Sequence, residues 1–387
     1  MIRLAAIYDG DPQPRIHRAL YPTSTRLQAI AICDLSGEKD TGAKQEVQRL
    51  RDFFNCELYD TPHDMFRKGD EIDGVLIDVG ANAQLLFDII SQALQARINV
   101  LLPQPSSFNQ LPLEKAVALG ALAESHKVTL LAASRLIFGQ CAKDINQHRR
   151  QILFGDISDC LIRASYGPVP DIYSLLSYAA GHPFQLLFHL LFPHPHPQQC
   201  ELPETVTAIA NNSPNQPPAL ALTLQFGAGT IACLLITASR SWGKPYHTIE
   251  ISGSGGCSVE SDLQTWKLIT PRRGILNSCV NDDDEASEIY GSARKLEYFK
   301  RSCQLQSDTE DTLKNAVLPS LWLKNVVADL LNEKKISTTT AAIKRAQRKV
   351  LRTLNTQEPS SDEALNAYAK MGDWDAAFEL ARGIIHK

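Results

Sequence analysis

Residues Asn99–Asn109, NVLLPQPSSFN, join a short apolar strand to the start of a helix through the segment Pro103-Gln104-Pro105. Similar strands rich in Ile, Leu and Val recur through the first 132 residues and alternate with amphipathic helical stretches. Strands are predicted at Arg3–Tyr8, Leu27–Asp34, Gly74–Asp78, Asn99–Leu102 and Val128–Ala132, and helices include Gly42–Phe54, Ala83–Ala96 and Leu113–Ser125. Strands separated by helices form βαβ units, so residues 1–132 are predicted to be a Rossmann-like α/β domain with a doubly wound parallel sheet.

From about Ser134 the pattern changes to consecutive strands, which is typical of an α+β domain with a large open mixed or antiparallel sheet. Strands are predicted at Ile157–Ser165, Val206–Ala210, Ala219–Phe226, Thr230–Thr237 and Thr248–Gly253, and helices at Asp144–Ile152, Tyr178–Leu191, Leu318–Asn332 and Thr339–Asn355. We therefore expect a second domain over 133–320, suited to substrate binding or oligomerisation. C-terminal helices over 321–355 should close it, and a linker and helical hairpin should occupy 356–387.

The hairpin sequence AYAKMGDWDAAFELARG (367–383) is similar to a single tetratricopeptide-type repeat. One copy cannot form a solenoid, so we expect a helical cap on the main body, with a protein-partner role as the alternative. The acidic run Asp282-Asp283-Asp284-Glu285 is expected to lie in a solvated loop. Gly253-Ser254-Gly255-Gly256 lies between predicted strands and is read as a turn rather than a phosphate loop.

Composition limits the function further. The 387 residues carry a net charge of −4, which argues against a nucleic-acid partner. No apolar run reaches the roughly 18–20 residues that span a bilayer, so no membrane association is expected. Nine cysteines without a CxxC pair indicate reduced thiols in a cytoplasmic protein. His189, His194, His196 and Cys200 lack zinc-site spacing, so no metal site is predicted.

Several short motifs, in order along the chain, resemble the glucose-fructose oxidoreductase / inositol dehydrogenase / MocA (Gfo/Idh/MocA) family. The motifs are Ile72-Asp73-Gly74-Val75 with NVLLPQP, Ser134-Arg135, Gly155-Asp156-Ile157, Ala180-Gly181-His182, Phe226–Thr230, Ser241-Trp242 and Ile249–Gly256. This resemblance covers about Ile2 to Asn355 and implies a divergent member, an NAD(P)-dependent oxidoreductase fold with a small-molecule cleft between two domains. It also implies a homo-oligomer, because second-domain sheets of this family commonly pair face to face.

On the cofactor side, the resemblance points to Gly10, Asp34, Gln84, Gln104 and Arg135. A Rossmann turn normally uses three glycines, but the segment from Tyr8 to His17 keeps only Gly10, and its prolines remove amide donors. Whether this turn still binds a nucleotide is left open. Asp34 ends the second strand, where an acidic side chain binds ribose hydroxyls, so NAD(H) is favoured over NADP(H) if either binds.

On the catalytic side, the resemblance points to His182, Tyr178 and Gln104. Gln104 stands where the family has the lysine of a Glu-Lys-Pro motif, and glutamine cannot deliver a proton. Tyr178 stands where an aspartate would orient the histidine. His182 remains and could act as a general acid.

Two hypotheses of different class follow. The first is a pseudoenzyme with a degraded catalytic set that keeps a cleft for a ligand or partner, because the departures from the family pattern occur together. The alternative is a divergent NAD(P)-dependent reductase or dehydrogenase of a small carbonyl, imine or sugar-like substrate, because some relatives also lack the lysine.

Overall fold

The computed structural model describes residues 2–9, 27–35, 41–68, 71–80, 82–103, 105–149, 154–192, 201–213, 215–227, 229–240, 245–263, 265–271, 274–279, 295–304, 312–354 and 361–385. Contacts divide the chain into two compact units. Unit 1 comprises Met1–Ala133, Ser292–Leu313 and Asp375–Lys387, and unit 2 comprises Ser134–Gly291 and Lys314–Trp374. None of the described helices is long and apolar enough to cross a membrane.

Unit 1 is built on a six-stranded parallel sheet. Its strands are β1 Ile2–Tyr8, β2 Leu27–Asp34, β3 Glu57–Tyr59, β4 Gly74–Asp78, β5 Asn99–Leu101 and β6 Leu130–Leu131. Their order is β3-β2-β1-β4-β5-β6, the Rossmann order in which the direction of strand addition reverses between β1 and β4. The prediction of a Rossmann-like doubly wound domain is confirmed, although the short strand β3 was missed.

Helices cover this sheet. They are α1 Thr41–Phe54, α2 Pro62–Phe66, α3 Ala83–Gln95, α4 Pro105–Asn109, α5 Leu113–His126, α8 over 295–304 and α12 Trp374–Ile385. Gly74 opens β4 and lets the ring of Phe299 on α8 approach closely, since a Cβ there would lie 3.0 Å from that ring. Gly120 on α5 admits Phe378 of α12 in the same way. Helices from distant parts of the sequence therefore complete the core of unit 1.

Unit 2 is built on a nine-stranded mixed sheet, ordered β14-β13-β12-β11-β7-β10-β9-β8-β15. Its strands are β7 Ile157–Tyr166, β8 Thr205–Asn211, β9 Ala219–Gln225, β10 Ile231–Ala238, β11 Tyr246–Gly253, β12 Ser258–Ser261, β13 Thr265–Thr270, β14 Gly274–Cys279 and β15 Ser337–Thr339. Strands β7 and β10 pair in parallel at its centre, and the flanking pairs are antiparallel. The predicted mixed sheet is confirmed, while β12 to β15 were not predicted.

The helices of unit 2 are α6 Gln140–Arg149, α7 Gly181–Leu191, α9 Leu318–Asn332, α10 Thr340–Leu354 and α11 Ser361–Met371. Helix α7 is buried along almost its whole length, as a helix covering one face of a sheet must be. Burial alternates along β8, β9 and β10, so the other face of this sheet is largely exposed. The predicted turn at Gly253–Gly256 joins β11 to β12 as a hairpin.

The C-terminal hairpin consists of α11 and α12, and its apolar residues are buried. The indole of Trp322 on α9 donates to the Lys370 carbonyl of α11 at 2.9 Å, within unit 2. In unit 1, Phe378 of α12 packs on Gly120, and Arg382 pairs with Glu124. The acidic run at 282–285 and the loop around Pro359 lie outside the described residues.

Candidate functional site

The carboxyl edge of the first sheet is the place where a Rossmann-like fold binds its ligand. The crevice lies where strand order reverses, between β1 and β4. Tyr8 ends β1 and is followed by Asp9, while Asp78 ends β4 and Asp34 ends the neighbouring β2. Three carboxylates therefore lie at adjacent strand ends.

Asp9 has a contact that sequence analysis did not anticipate. Its Oδ2 accepts a hydrogen bond from the Gly80 amide at 2.7 Å, directly across the switch point from β1 to the segment after β4. Asp9 follows β1 immediately, where a Rossmann loop places the first glycine of its tight turn. A carboxylate in this position opposes the approach of a pyrophosphate, because like charges repel.

Ionisation of two neighbouring side chains reflects the same negative edge. Burial, followed by the charge of Asp78, raises the pKa of the Tyr8 hydroxyl. Burial, followed by Asp34 and two further aspartates, raises the pKa of the Cys33 thiol to about 12. The Tyr8 hydroxyl is buried and has no hydrogen-bond partner among the described residues. Both groups are therefore neutral near pH 7 and add no charge to this edge.

The predicted cofactor residues of unit 1 differ in their surroundings. Asp34 is partly exposed at the end of β2, where it can reach a ligand. Gln84 is exposed on the first turn of α3, and both ends of its side-chain amide are hydrogen-bonded. Its Nε2 donates to Asp88 on the same helix at 2.7 Å, and its Oε1 accepts from Lys115 of α5. Gly10 and Gln104 lie outside the described residues.

In unit 2, the imidazole of His182 is held by a residue that precedes it by 48 positions. Ser134 Oγ lies 2.8 Å from His182 Nδ1. The same oxygen accepts the Leu136 amide at 3.2 Å, as the cap of the 3₁₀ helix Arg135–Phe138. With that lone pair used, the Ser134 hydroxyl can donate to neutral His182 or accept from its protonated form. Sequence analysis missed this partner because it searched only along the helix.

A second hydrogen bond, from its backbone amide, also holds Ser134 in place. It is fully buried, and its amide donates to Gln185 Oε1 at 2.5 Å, one helical turn beyond His182 on α7. The Gln185 amide nitrogen Nε2 is buried and has no acceptor among the described residues. A buried donor without a partner in a folded protein calls for an explanation, and here it adjoins a candidate functional histidine.

Tyr178, predicted beside His182, lies on a π-helical turn. Leu175–Ala179 is π-helical, with the Ala180 amide bonded to the Leu175 carbonyl at 3.0 Å, and α7 begins only at Gly181. The predicted helix Tyr178–Leu191 therefore starts three residues later than expected. The Tyr178 side chain is 51% exposed, and the hydrogen bonds among described residues include none from its hydroxyl. π turns are frequent at functional sites.

Arg135, the remaining predicted cofactor residue, belongs to unit 2 and lies near a Tyr–His pair. The Tyr166 hydroxyl at the end of β7 lies 3.0 Å from His247 Nε2 on β11. Burial, and secondarily the Arg135 charge, lowers the pKa of His247 to about 4. Burial raises the pKa of Tyr166, against the opposing effect of Arg135. The pair is therefore neutral at pH 7, and the tautomer of His247 sets which of the two groups donates.

The candidate metal ligands are not brought together in the described structure. His189 Nε2 on α7 lies 3.1 Å from Asn146 Nδ2. His194, His196 and Cys200 fall outside the described residues, and elsewhere in the described chain no three His, Cys, Asp or Glu side chains are grouped to hold a metal ion.

A comparison with protein families matches residues 10–134 to an oxidoreductase family, Gfo/Idh/MocA, with an NAD-binding Rossmann fold. No curated protein sequence matches the chain significantly. The fold of almost the whole chain occurs in solved dehydrogenases. A dehydrogenase from Chromobacterium violaceum is 16% identical with a TM-score of 0.68, and the alignment covers 91% of this chain and 99% of that one.

Two further solved structures show the same fold. UDP-N-acetylglucosamine 3-dehydrogenase GnnA from Acidithiobacillus ferrooxidans is 18% identical with a TM-score of 0.62, covering 85% of this chain and 99% of that chain. GenD2 from gentamicin A biosynthesis, solved in complex with NAD, is 15% identical with a TM-score of 0.66, covering 87% and 96%. At these identities the likeness establishes the fold alone.

Proposed function

Because residues 10–134 match the model of the Gfo/Idh/MocA oxidoreductase family, we propose that this protein is a divergent NAD(H)-dependent oxidoreductase of a small sugar-like or polyol substrate. The observation that carries the proposal is the hydrogen bond between Ser134 and His182. A partly exposed imidazole with one ring nitrogen held by a buried side chain is oriented for proton transfer.

The residues at the sheet edge fit part of the cofactor. Asp34 at the end of β2 can accept hydrogen bonds from ribose hydroxyls, and its charge disfavours the 2′-phosphate of NADP(H). Asp9 fits the pyrophosphate poorly, for the electrostatic reason given above. When bound, NAD(H) supplies the hydride chemistry.

The protein contributes proton transfer and orientation. Neutral His182 accepts the proton of a substrate hydroxyl during oxidation, and protonated His182 returns it to the carbonyl oxygen during reduction. The substrate proton is exchanged at His182 Nε2, so Nδ1 carries its proton throughout and donates to Ser134 Oγ, which selects the tautomer that can act as the base. A serine carries no charge, so it orients the imidazolium without the electrostatic stabilisation that an aspartate provides.

The substrate class rests on the solved relatives. One of them is named a UDP-N-acetylglucosamine 3-dehydrogenase, and another was solved with NAD and L-tartaric acid. Substrates with adjacent hydroxyl groups are therefore the first to test.

The second candidate function is a pseudoenzyme that keeps a ligand-binding or partner-binding role. It is favoured by the Asp9 carboxylate on the Gly80 amide, which places negative charge at the switch point. Under this hypothesis Ser134 and His182 hold a ligand without turning it over.

Binding of NADH, followed by fluorescence or calorimetry, separates the two candidates. The oxidoreductase predicts saturable binding that weakens at least tenfold, or about 1.4 kcal/mol, in Asp34→Ala and strengthens in Asp9→Asn. Asp52→Asn, at the end of α1, is the matched control for loss of a carboxylate. Absence of binding at millimolar NADH in every variant would reject the oxidoreductase and leave the pseudoenzyme.

Turnover on a panel of polyols and sugar nucleotides tests the role of His182. Ser134→Ala should leave NADH affinity unchanged and lower kcat by roughly 10–100-fold, less than the 10²–10⁴-fold typical of losing the acid–base group itself, because Ser134 only orients His182. Ser134 also caps a helix, so Thr61→Ala, which removes the cap of α2 in unit 1, is the control for lost capping. Equal kcat in Ser134→Ala and wild type would exclude the Ser134–His182 bond from the reaction.

We also propose a cytoplasmic location, supported by the cysteines. Seven cysteines in the described part of the chain are free thiols, and five of these seven are buried. Fractionation of the source cells is the direct check.

A further inference from the structure

Helix α10 is strongly basic although the protein as a whole is acidic. Its sequence, TAAIKRAQRKVLRTL, has no aspartate or glutamate and carries five cations, which are Lys344, Arg345, Arg348, Lys349 and Arg352. The whole chain has 43 acidic against 39 basic residues and a net charge of −4. The helix is therefore a local concentration of positive charge on a negatively charged protein.

The five cations share one side of α10, which we call the basic face. Successive residues are rotated by about 100° around a helix axis, so these positions fall within an arc of about 140°. Four of the cations are exposed, and Lys344 is half-buried. The opposite side carries Leu354, which is buried, with Ile343 and Leu351, which are half-buried, and α10 packs against α11. The basic face therefore points to solvent.

An exposed apolar row borders the basic face. Ala342, Ala346 and Val350 recur every four residues and are all exposed, Val350 by 41%. Side chains as small as alanine let a second helix approach closely, because the distance between packed helices depends on the side chains at the contact. Paired helices recognise each other through an apolar row bordered by charges. The pattern on α10 is of this kind.

The charge pattern destabilises α10 when nothing is bound to it. Lys344, Arg348 and Arg352 follow one another at intervals of four residues, as do Arg345 and Lys349, and like charges at this spacing repel. The ion pairs among the described residues include none from Lys344, Arg348 or Arg352. A solvated helix face ordinarily mixes charges of both signs. An acidic partner would relieve the repulsion, so the pattern favours a binding surface.

Three features select an acidic helix as that partner. Arginine pairs with a carboxylate through two parallel N–H···O bonds, and three of the five cations are arginines. Carboxylates at every fourth position of a helix match the spacing of the cations on α10. The exposed apolar row requires apolar side chains opposite it, which a nucleic-acid backbone lacks. A lipid surface fits poorly, because an interfacial helix buries its apolar side in the membrane, whereas that of α10 packs partly on the protein.

We propose that the basic face and apolar row of α10 bind an amphipathic helix of another protein, with Asp or Glu at every fourth position beside its apolar residues. The carboxylates of that helix pair with the arginines of the basic face, and its apolar side chains cover Ala346 and Val350. The surface lies within unit 2 and includes no residue of the Ser134–His182 site, so it does not depend on the proposed oxidoreductase activity.

Calorimetric titration of the whole chain with synthetic helical peptides tests this surface. One peptide carries Glu at every fourth position beside a row of Leu, and a second has the same composition in scrambled order. The ordered peptide should bind with one-to-one stoichiometry, at least about tenfold more tightly than the scrambled peptide. The triple variant Lys344→Gln, Arg348→Gln, Arg352→Gln should weaken this binding at least about tenfold.

Two further variants separate the surface from net charge. The triple variant Arg97→Gln, Lys127→Gln, Lys334→Gln removes the same charge from exposed positions elsewhere and should bind the ordered peptide as wild type does. Val350→Gln keeps every cation but interrupts the apolar row, so it should also weaken binding. Neutralising the basic face removes repulsion, so its urea midpoint should equal or exceed that of wild type, and a lower midpoint would contradict the argument.

Other results would overturn the inference. They are absence of binding by the ordered peptide at millimolar concentration, equal affinity for the scrambled peptide, or an equal loss in the control triple variant. Tighter binding of anionic phospholipid vesicles or single-stranded RNA, lost in the Lys344, Arg348 and Arg352 triple variant, would assign the basic face to another class of ligand and reject the helical partner.

Discussion

The Ser134–His182 pair is the residue-scale feature on which function depends. The sequence motif identified His182, and the same motif predicted its orienting partner one helical turn earlier, at Tyr178. Tertiary folding instead supplies Ser134, which lies 48 positions away and is held by Leu136 and Gln185. No periodicity or spacing in the sequence could have identified that contact. The Ser134-Arg135 motif, which follows a predicted strand by two residues, was the local signal available.

His247 gives a residue-scale prediction of pH dependence. Its pKa is lowered to about 4 in the folded protein, chiefly by burial, whereas an unfolded histidine titrates near 6.5. Between these values only the unfolded chain binds the proton, so the free energy of unfolding should fall as pH drops from 6.5 to 4. The histidine's share of this loss is about 3 kcal/mol. Urea unfolding at several pH values between 7 and 4 measures it.

Substitution isolates that contribution. His247→Gln keeps an acceptor for the Tyr166 hydroxyl but removes the titrating ring, so its unfolding free energy should depend less steeply on pH. His63→Gln, an exposed histidine on α2, is the control and should behave as wild type. Identical slopes in His247→Gln and wild type would contradict the assignment.

At the scale of elements, long regular segments were predictable and short or edge elements were not. Helix α9 spans Leu318–Asn332 as predicted, and β2 and β4 also match. The three-residue strand β3 was missed, since so short a strand has no detectable alternation. Strands β12 and β13 carry polar residues on an exposed face, which weakens the apolar signal. Helix α7 begins later than predicted because a π turn precedes it, and the prediction assumed the α-helical period of 3.6 residues per turn throughout.

Two glycines give an element-scale prediction. Gly253 ends β11, where a Cβ would lie 2.0 Å from the Phe154 carbonyl oxygen. Gly253→Ala should destabilise the protein by at least about 2 kcal/mol, because backbone must move to admit the methyl group. Gly383 is at an exposed position of helix α12, with no atom within 4 Å of where a Cβ would lie, so Gly383→Ala should stabilise the protein by about 0.5–1 kcal/mol. Chemical denaturation of both variants and wild type measures the change in the free energy of unfolding, which should be negative for Gly253→Ala and positive for Gly383→Ala. Destabilisation by both substitutions would contradict this explanation.

At the scale of the whole molecule, the exposed sheet face of unit 2 bears on assembly. Residues Ile209, Ala221, Leu235, Arg163 and Thr248 form a row across five adjacent strands. Ile209 is 63% exposed and Leu235 39% exposed, while Arg163 pairs with Glu250 beside them. A surface of this kind, apolar with flanking charges, is typical of an interface. We therefore propose that two copies of the protein associate through this face.

The corresponding prediction concerns mass in solution. Leu235→Glu places a charge at the centre of the row and should convert a wild-type dimer to a monomer, measured by sedimentation velocity. Phe53→Glu, an equally drastic change at an exposed residue of unit 1, is the control and should leave the dimer intact. A monomeric wild type at micromolar concentration would reject this interface.

By itself the sequence determined the two kinds of sheet, the family resemblance, and His182 and Asp34 as residues of interest, because periodicity and short motifs are local properties. Only the tertiary structure decided which groups meet: Ser134 with His182, and Asp9 with Gly80. Chain segments far apart in sequence come together at strand ends and helix starts, and the contacts they make there follow from packing rather than from any pattern along the chain.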